Sequence, residues 1–214
     1  MLVGERMTRR PITVGKDVPI NEALSLMRDE KVRRLPVLDK NGKLVGIVAE
    51  KDLLYASPSP ATSLSMYELH YLLSKIEVED VMTKKVITVE EATPLEEVAR
   101  IMADNKIGCA PVMRGRELVG IVTETDIFKV LLEMMGARDH GVRVTLNVPA
   151  RVGVLAGITR ALADIGANLV ALGTFKGDDP AHAIIATKVQ NVSQEAVLGA
   201  LKDLDLQIRN VQET

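Results

Sequence analysis

Apolar residues recur along this chain with two periods in a fixed order, and that order occurs twice. Near the start, Ile12-Thr13-Val14 reads as a short strand, after which Ala23, Leu24 and Met27 fall at helical spacing behind Pro19. Ile87-Thr88-Val89, then Pro94 followed by Leu95, Val98, Ala99 and Met102, repeat the pattern. Two short apolar runs follow each helix. In the first copy they are Leu35 to Leu38 and Leu44 to Val48, and the intervening Asp39-Lys40-Asn41-Gly42 supplies the positive φ of a tight hairpin turn. Arg114-Gly115 does the same in the second copy, and a further helix is expected to start at Glu50 and at Glu124.

When Met7 to Asp52 is set against Met82 to Asp126, with one residue dropped in the turn after Leu38, 19 positions agree. They include Pro36-Val37 with Pro111-Val112 and Leu44-Val45-Gly46-Ile47-Val48 with Leu118-Val119-Gly120-Ile121-Val122. This is an internal duplication, with copies over 1–54 and 77–135. Between them, Ser57-Pro58-Ser59-Pro60 interrupts regular structure, and Met66, Leu69, Leu72 and Leu73 then take helical spacing behind Ser63 or Ser65. A structured linker over 55–76 is predicted, bringing Tyr55, Tyr67 and Tyr71 into one neighbourhood.

A different pattern begins after the polar, glycine-containing joint from Gly136 to Gly141. Val142, Val144, Leu146 and Val148 alternate as a strand, and Val154, Leu155, Ile158, Ala161, Leu162 and Ile165 form a helical stripe that ends at Gly166. Asn168 to Phe175 and Ala181 to Val189 read as a hairpin, followed by a helix from Ser193 to Leu204 and a strand near Leu206 to Val211. The βαββαβ order over 141–214 predicts a ferredoxin-like antiparallel sheet with two helices on one face. The fold class expected is mixed α/β and α+β, a tandem repeat pair followed by this domain.

Composition removes several functions. Lys+Arg 27 against Asp+Glu 29 gives a net charge of -2, so no general attraction to nucleic acid or anionic membranes is expected. Three Tyr, two Phe and no Trp are too few for a base-stacking platform. The single Cys109 cannot form an intrachain disulfide or a multi-thiolate zinc site, and no apolar run is long enough for a membrane span, so a cytoplasmic protein is expected. His70, His140 and His182 are scattered, and the nucleophile-elbow, phosphate-loop, dinucleotide-glycine and zinc-protease motifs are all absent. No catalytic residue, resident cofactor or metal site is expected. Cys109 reads as a small buried or cleft-lining thiol.

The duplicated Met-Thr-x-x-x-Ile-Thr-Val openings, the Pro-Val strands and the pair Gly46-Ile47-Val48-Ala49-Glu50-Lys51-Asp52 and Gly120-Ile121-Val122-Thr123-Glu124-Thr125-Asp126 resemble a tandem pair of CBS motifs. Val152-Gly153-Val154-Leu155 and Ile165-Gly166-Ala167-Asn168-Leu169 make the last segment similar to an ACT domain, with Ala150 and Val152 replacing an acidic residue and a proline often found there. The order CBS-CBS-ACT and the segment Tyr55 to Leu64 resemble the AcuB family, named for acetoin utilisation. The resemblance implies a homodimeric sensor. An adenosine ligand (AMP, ADP, ATP or S-adenosylmethionine) would bind the CBS pair, an amino-acid effector the ACT domain, and an unidentified metabolic enzyme would be regulated. The alternative is a constitutive dimerisation scaffold with vestigial clefts.

The residues suggest where such a nucleotide would sit. A helix starting at Glu124 offers unpaired N–H groups to phosphate or ribose oxygens. Asp126 can accept ribose hydroxyls and Thr123 can donate to phosphate, although Thr-x-x-Asp is equally close to a capping box that serves only the helix. Asp52 occupies the matching place, but Ala49 lacks the hydroxyl, so the first site is expected to be weaker or different. Arg33 and Arg34 lead the cations that could neutralise phosphates, which also include Arg9, Arg10, Lys84, Lys85 and Lys106. In the last domain, Gly153 and Asn168 are the candidates for an amino-acid site, or else serve packing and a turn.

Overall fold

The computed structural model describes residues 1–56 and 75–214, so the predicted linker helix and its tyrosines at 67 and 71 lie outside the described residues. The chain divides into two compact units, Met1–Ile127 and Phe128–Thr214.

The first unit holds the duplication. A single 3₁₀ turn (Val3–Glu5) leads to β1 (Thr8–Arg9), and the first copy continues as β2 (Val14–Gly15), α1 (Ile20–Asp29), β3 (Arg34–Leu38), β4 (Leu44–Ala49) and α2 (Glu50–Ala56). The second copy is α3 (Val78–Val81), β5 (Val89–Glu90), α4 (Leu95–Asp104), β6 (Cys109–Arg114), β7 (Glu117–Thr123) and α5 (Glu124–Met134). Pro19 and Pro94 stand at the helix entrances in extended conformation, and each helix buries the stripe its spacing predicts: Ile20, Ala23, Leu24 and Met27 in α1, Leu95, Val98 and Met102 in α4. The hairpins turn as expected, with Gly42 at φ +76 and Gly115 at φ +61. Asp39 accepts from the N–H groups of Asn41 and Lys43, both at 2.9 Å, which holds its carboxyl below the usual range.

Each copy is completed by the opening of the other. β1 pairs antiparallel with β7, Thr8 opposite Ile121, in a sheet ordered β1-β7-β6-β5. At the matching place Thr83 and Ile47 exchange backbone hydrogen bonds of 2.9 and 3.0 Å, placing the second opening against β4 of the three-stranded sheet β2-β3-β4. Ile76, Val78, Val81 and Met82 accordingly pack into the core of the first copy, around Leu35, Val37, Val48 and Leu53. The glycine within each Leu-Val-Gly-Ile-Val run now has a reason. A side chain at Gly46 would collide with Met82, and one at Gly120 with Met7 and with the Thr8 carbonyl oxygen at 3.0 Å.

The second unit contains β8 (Val142–Pro149), α6 (Val154–Asp164), β9 (Asn168–Lys176), β10 (His182–Gln190), α7 (Gln194–Leu201) and β11 (Gln207–Glu213). Its sheet is antiparallel throughout, ordered β11-β8-β10-β9, the βαββαβ topology that the periodicity predicts. Ile158 and Leu162 of α6 and Val197 and Leu201 of α7 cover Val144, Leu146, Ile185 and Val189. The other face is also engaged. Lys188, only 5% exposed, donates from Nζ to the Gly136 carbonyl at 3.1 Å, and Gly136 lies against Val170 and Ala171. The Gly136 carbonyl, just beyond the C-terminus of α5, also accepts from the Asp139 N–H at 3.1 Å, and the buried ammonium is the second donor to it. That anchoring explains why the division between units falls inside α5 and not at the Gly136–Gly141 joint.

Among the described residues no helix is long and apolar enough to cross a membrane.

The close approach at Gly120 and the open space around Gly199 on α7 give opposite expectations for one substitution. Gly120→Ala should destabilise by about 1–3 kcal/mol through overpacking against a backbone oxygen. Gly199→Ala should stabilise by about 0.5–1 kcal/mol through helix propensity and a less flexible unfolded chain. Urea midpoints of the full chain check both, and equal shifts of one sign would contradict this packing.

Candidate functional site

β4 runs directly into α2 and β7 into α5, so each copy presents a helix N-terminus at the end of a buried strand. Asp52 and Asp126 stand in the first turns of these helices. Asp52 Oδ2 accepts from the Ala49 N–H at 3.0 Å, and Asp126 Oδ2 from the Thr123 N–H at 3.0 Å. The copies then diverge. Thr123 Oγ1 also donates to Asp126 Oδ2, at 2.8 Å, so the hydroxyl expected to reach a phosphate serves the helix cap, as in the capping alternative. With alanine at 49, Asp52 has no such partner, and its Oδ1 makes no hydrogen bond among the described residues.

Asp52 opens onto a cleft of about 190 Å³ between the copies. The first copy contributes Arg34, Ile47, Ala49 and Lys51; the second contributes Thr83, Lys85, Val86 and Ile87 from its opening and Lys106 to Cys109 from the entrance to β6. The exchange of openings is what brings Thr83 and Lys85 within reach of Asp52. Arg34, Lys51, Lys85 and Lys106 thus line the same cleft as the Asp52 carboxylate.

Arg34 extends across to the second copy. Its guanidinium lies over Gly108, where any side chain would collide with it, and Nη2 is 3.9 Å from Glu124 Oε2. At that length and exposure the pairing with Glu124 is weak, which leaves Arg34 available to another anion. Cys109 is buried beside it. Burial pushes its thiol up to about 11, with Arg34 pulling it down and Glu124 adding slightly to the rise.

Of the residues singled out by sequence, Asp52, Arg34, Lys85, Lys106 and Cys109 share this cleft, while Thr123 and Asp126 cap α5. Arg33 is exposed and outside the cleft lining; its carbonyl accepts from the Glu50 N–H at 2.9 Å. Arg9 is engaged by Glu91 at 3.2 Å and by the Gly4 carbonyl at 2.8 Å. Lys84 lines a different cavity, with Lys43 and Arg116, because neighbouring residues of the second opening point to opposite sides. Lys51 and Thr83 were missed by sequence. Lys51 carries the ordinary signature of a solvated helix residue, and Thr83 reaches the cleft only through the exchanged opening.

In the second unit Gly153 takes φ +90 ahead of α6 and lines a cavity of about 340 Å³ with Arg151, Val154, Gly157, Ile158, Leu204, Asp205 and Leu206. Arg151 and Asp205 pair there at 3.1 Å. Asn168 sits exposed at the start of β9 and is not among the residues lining that cavity, so the structure does not join the two candidates.

A duplicated α/β unit whose copies exchange their openings, with a polar cleft where a strand end meets a helix N-terminus, defines a tandem-repeat α/β class. The CBS domain model matches residues 3–59 and 78–133, more than half the chain, and the chain belongs to the CBS domain family. Among solved structures, a putative acetoin utilization protein (AcuB) from Vibrio cholerae is 32% identical, with TM-score 0.53, over 65% of this chain and 96% of that one. The CBS domain pair of protein MJ0100, in complex with 5'-methylthioadenosine and S-adenosyl-L-methionine, is 31% identical, with TM-score 0.52, over 65% and 98%. CBSX2 in complex with AMP is 34% identical, with TM-score 0.50, over 61% and 96%. The family model ends at residue 133, before the β-sheet of the second unit.

The raised thiol sets a measurable reactivity. At pH 8, a pKa near 11 leaves roughly 100-fold less thiolate than an ordinary cysteine near 9, and alkylation of Cys109 by iodoacetamide should slow about as much. The rate should climb through pH 10–11; full reactivity at pH 8 would show that Cys109 is not shielded.

Proposed function

We propose that this chain is a regulatory sensor that binds an adenosine nucleotide through its CBS pair, with the cleft at Asp52 as the principal site. The observation that carries this reading is the Asp52 carboxylate, with Oδ1 unengaged among the described residues, facing a cleft rimmed by Arg34, Lys51, Lys85 and Lys106. A ribose diol donates to such a carboxylate, and phosphate oxygens accept charge-assisted hydrogen bonds from the cations. The similar CBSX2 and MJ0100 pairs, solved with AMP and with 5'-methylthioadenosine and S-adenosyl-L-methionine, support an adenosine ligand. The ranking of the two copies thereby reverses relative to the sequence expectation: the hydroxyl at 123 engages the carboxylate it was expected to assist.

In the same reading the second unit is an ACT-like domain taking an amino acid at the Gly153 cavity. The paired Arg151 and Asp205 offer complementary charges to a zwitterion's carboxylate and ammonium, beside aliphatic Val154, Ile158 and Leu206. The protein acts as a cytoplasmic homodimer on a metabolic enzyme, and the likeness to the Vibrio cholerae protein favours acetoin utilisation. Exposed Phe128, Leu131 and Met134 on α5, at 63%, 49% and 62%, supply an apolar stripe for self-association.

Calorimetry with AMP, ADP, ATP and S-adenosylmethionine tests the site. At least one should bind, and at 100 times its dissociation constant it should stabilise the fold by about 2.7 kcal/mol. Asp52→Ala should weaken that ligand roughly 10-fold, from loss of charge-assisted hydrogen bonds, and Asp126→Ala should weaken it less. Equal affinities for both variants and wild type would remove the assignment. Light scattering at micromolar concentration should show a dimer, and Phe128→Glu should shift it toward monomer; a monomeric wild type would refute the homodimer.

A further inference from the structure

The second opening of the duplication has a side that faces away from the Asp52 cleft. Thr83, Lys85 and Ile87 line that cleft, whereas Lys84 and Thr88 line a second cavity of about 570 Å³, and Val86 borders both. The volume falls within the range of small-molecule sites. Three cations reach it from three separate places in the chain: Lys43 from the first hairpin, Lys84 from the opening, and Arg116 from the turn between β6 and β7. None of them makes an ion pair with any described residue. The lining includes one carboxylate, Glu90, whose Oε2 is within 3.4 Å of the Gly115 N–H.

We propose that this cavity is a second ligand site, distinct from the adenosine cleft, for a small organic anion carrying two or three negative charges on carboxylate or phosphate groups. Three like charges converging on one cavity, in a chain of net charge -2, repel one another and leave a local excess of two positive charges over Glu90. A multivalent anion removes that repulsion. Arg116 suits bidentate contact with a planar carboxylate or a phosphate face, and Lys43 and Lys84 act as point charges. The Thr88 hydroxyl adds a donor, and Leu44, Val45 and Met113 form an aliphatic surface for the carbon skeleton. A cationic or uncharged ligand would leave the three cations unneutralised. The site does not depend on what occupies the Asp52 cleft.

The test uses the full chain at low ionic strength with two probes, citrate for carboxylates and glycerol 3-phosphate for a phosphate monoester. Amide NMR should show saturable shifts at Leu44, Thr88 and Gly115 with at least one probe, and the responding probe identifies the anionic group. Lys84→Gln and Arg116→Gln should each weaken binding about 5- to 10-fold, as expected for a charge-assisted contact, while Lys85→Gln should stay within about 2-fold. Unchanged melting temperatures in the variants exclude misfolding. Failure of both probes at 10 mM, about 1,000-fold weaker than a 10 μM metabolite site, would overturn the proposal. Equal losses in Lys84→Gln and Lys85→Gln, or none in Lys84→Gln and Arg116→Gln, would overturn it as well.

Discussion

The exchange of opening segments between the two copies is the constraint on which the rest of the first unit depends. A two-residue strand cannot stand alone in water, and β1, at Thr8–Arg9, gains its strand partner among the described residues from β7 of the other copy. Thr83 depends in the same way on Ile47. Both contacts require a strand bare enough at one point for a methionine to lie across it. Gly46 under Met82 and Gly120 under Met7 meet that requirement, so the glycines and methionines of the duplicated pattern are two halves of one contact.

That contact also builds the cleft. With Thr83 fixed on Ile47, the residues after it run past the N-terminus of α2, and Lys85 and Ile87 join Asp52, Ala49 and Lys51. A site assembled in this way belongs to neither copy alone. The same segment turns Lys84 outward into a second cavity, lined by Lys43, Arg116 and Glu90, so one short stretch borders two different environments.

Duplication supplies two equivalent positions, and a few substitutions make them unlike. Thr123 against Ala49 decides whether a hydroxyl engages the helix carboxylate. Gly108 against Arg33, and Cys109 against Arg34, decide which copy sends a guanidinium over the other and which accommodates it with a bare backbone and a buried thiol. In the second unit the sheet is served on both faces, by α6 and α7 on one and by the Lys188 clamp on Gly136 on the other. This is how α5 begins in one unit and ends in the next.

The repeat, the hairpin turns, the helices behind Pro19 and Pro94 and the βαββαβ order were legible in the sequence, because each rests on local periodicity and backbone chemistry read over a few neighbouring residues. Asp52, Arg34, Lys85 and Lys106 were legible as candidates for the same reason, being charged residues in or beside the ends of predicted strands and helices. The tertiary structure alone decided which of them share a cleft. Lys84 and Lys85 are adjacent in sequence yet line different cavities, and the Thr123 hydroxyl engages Asp126 while Ala49 offers Asp52 its backbone N–H but no hydroxyl. Such outcomes turn on pairings between residues tens of positions apart, such as Thr83 with Ile47, and on which hydrogen-bond partner is nearest once the backbone is fixed. Neither kind of information has a period along the chain.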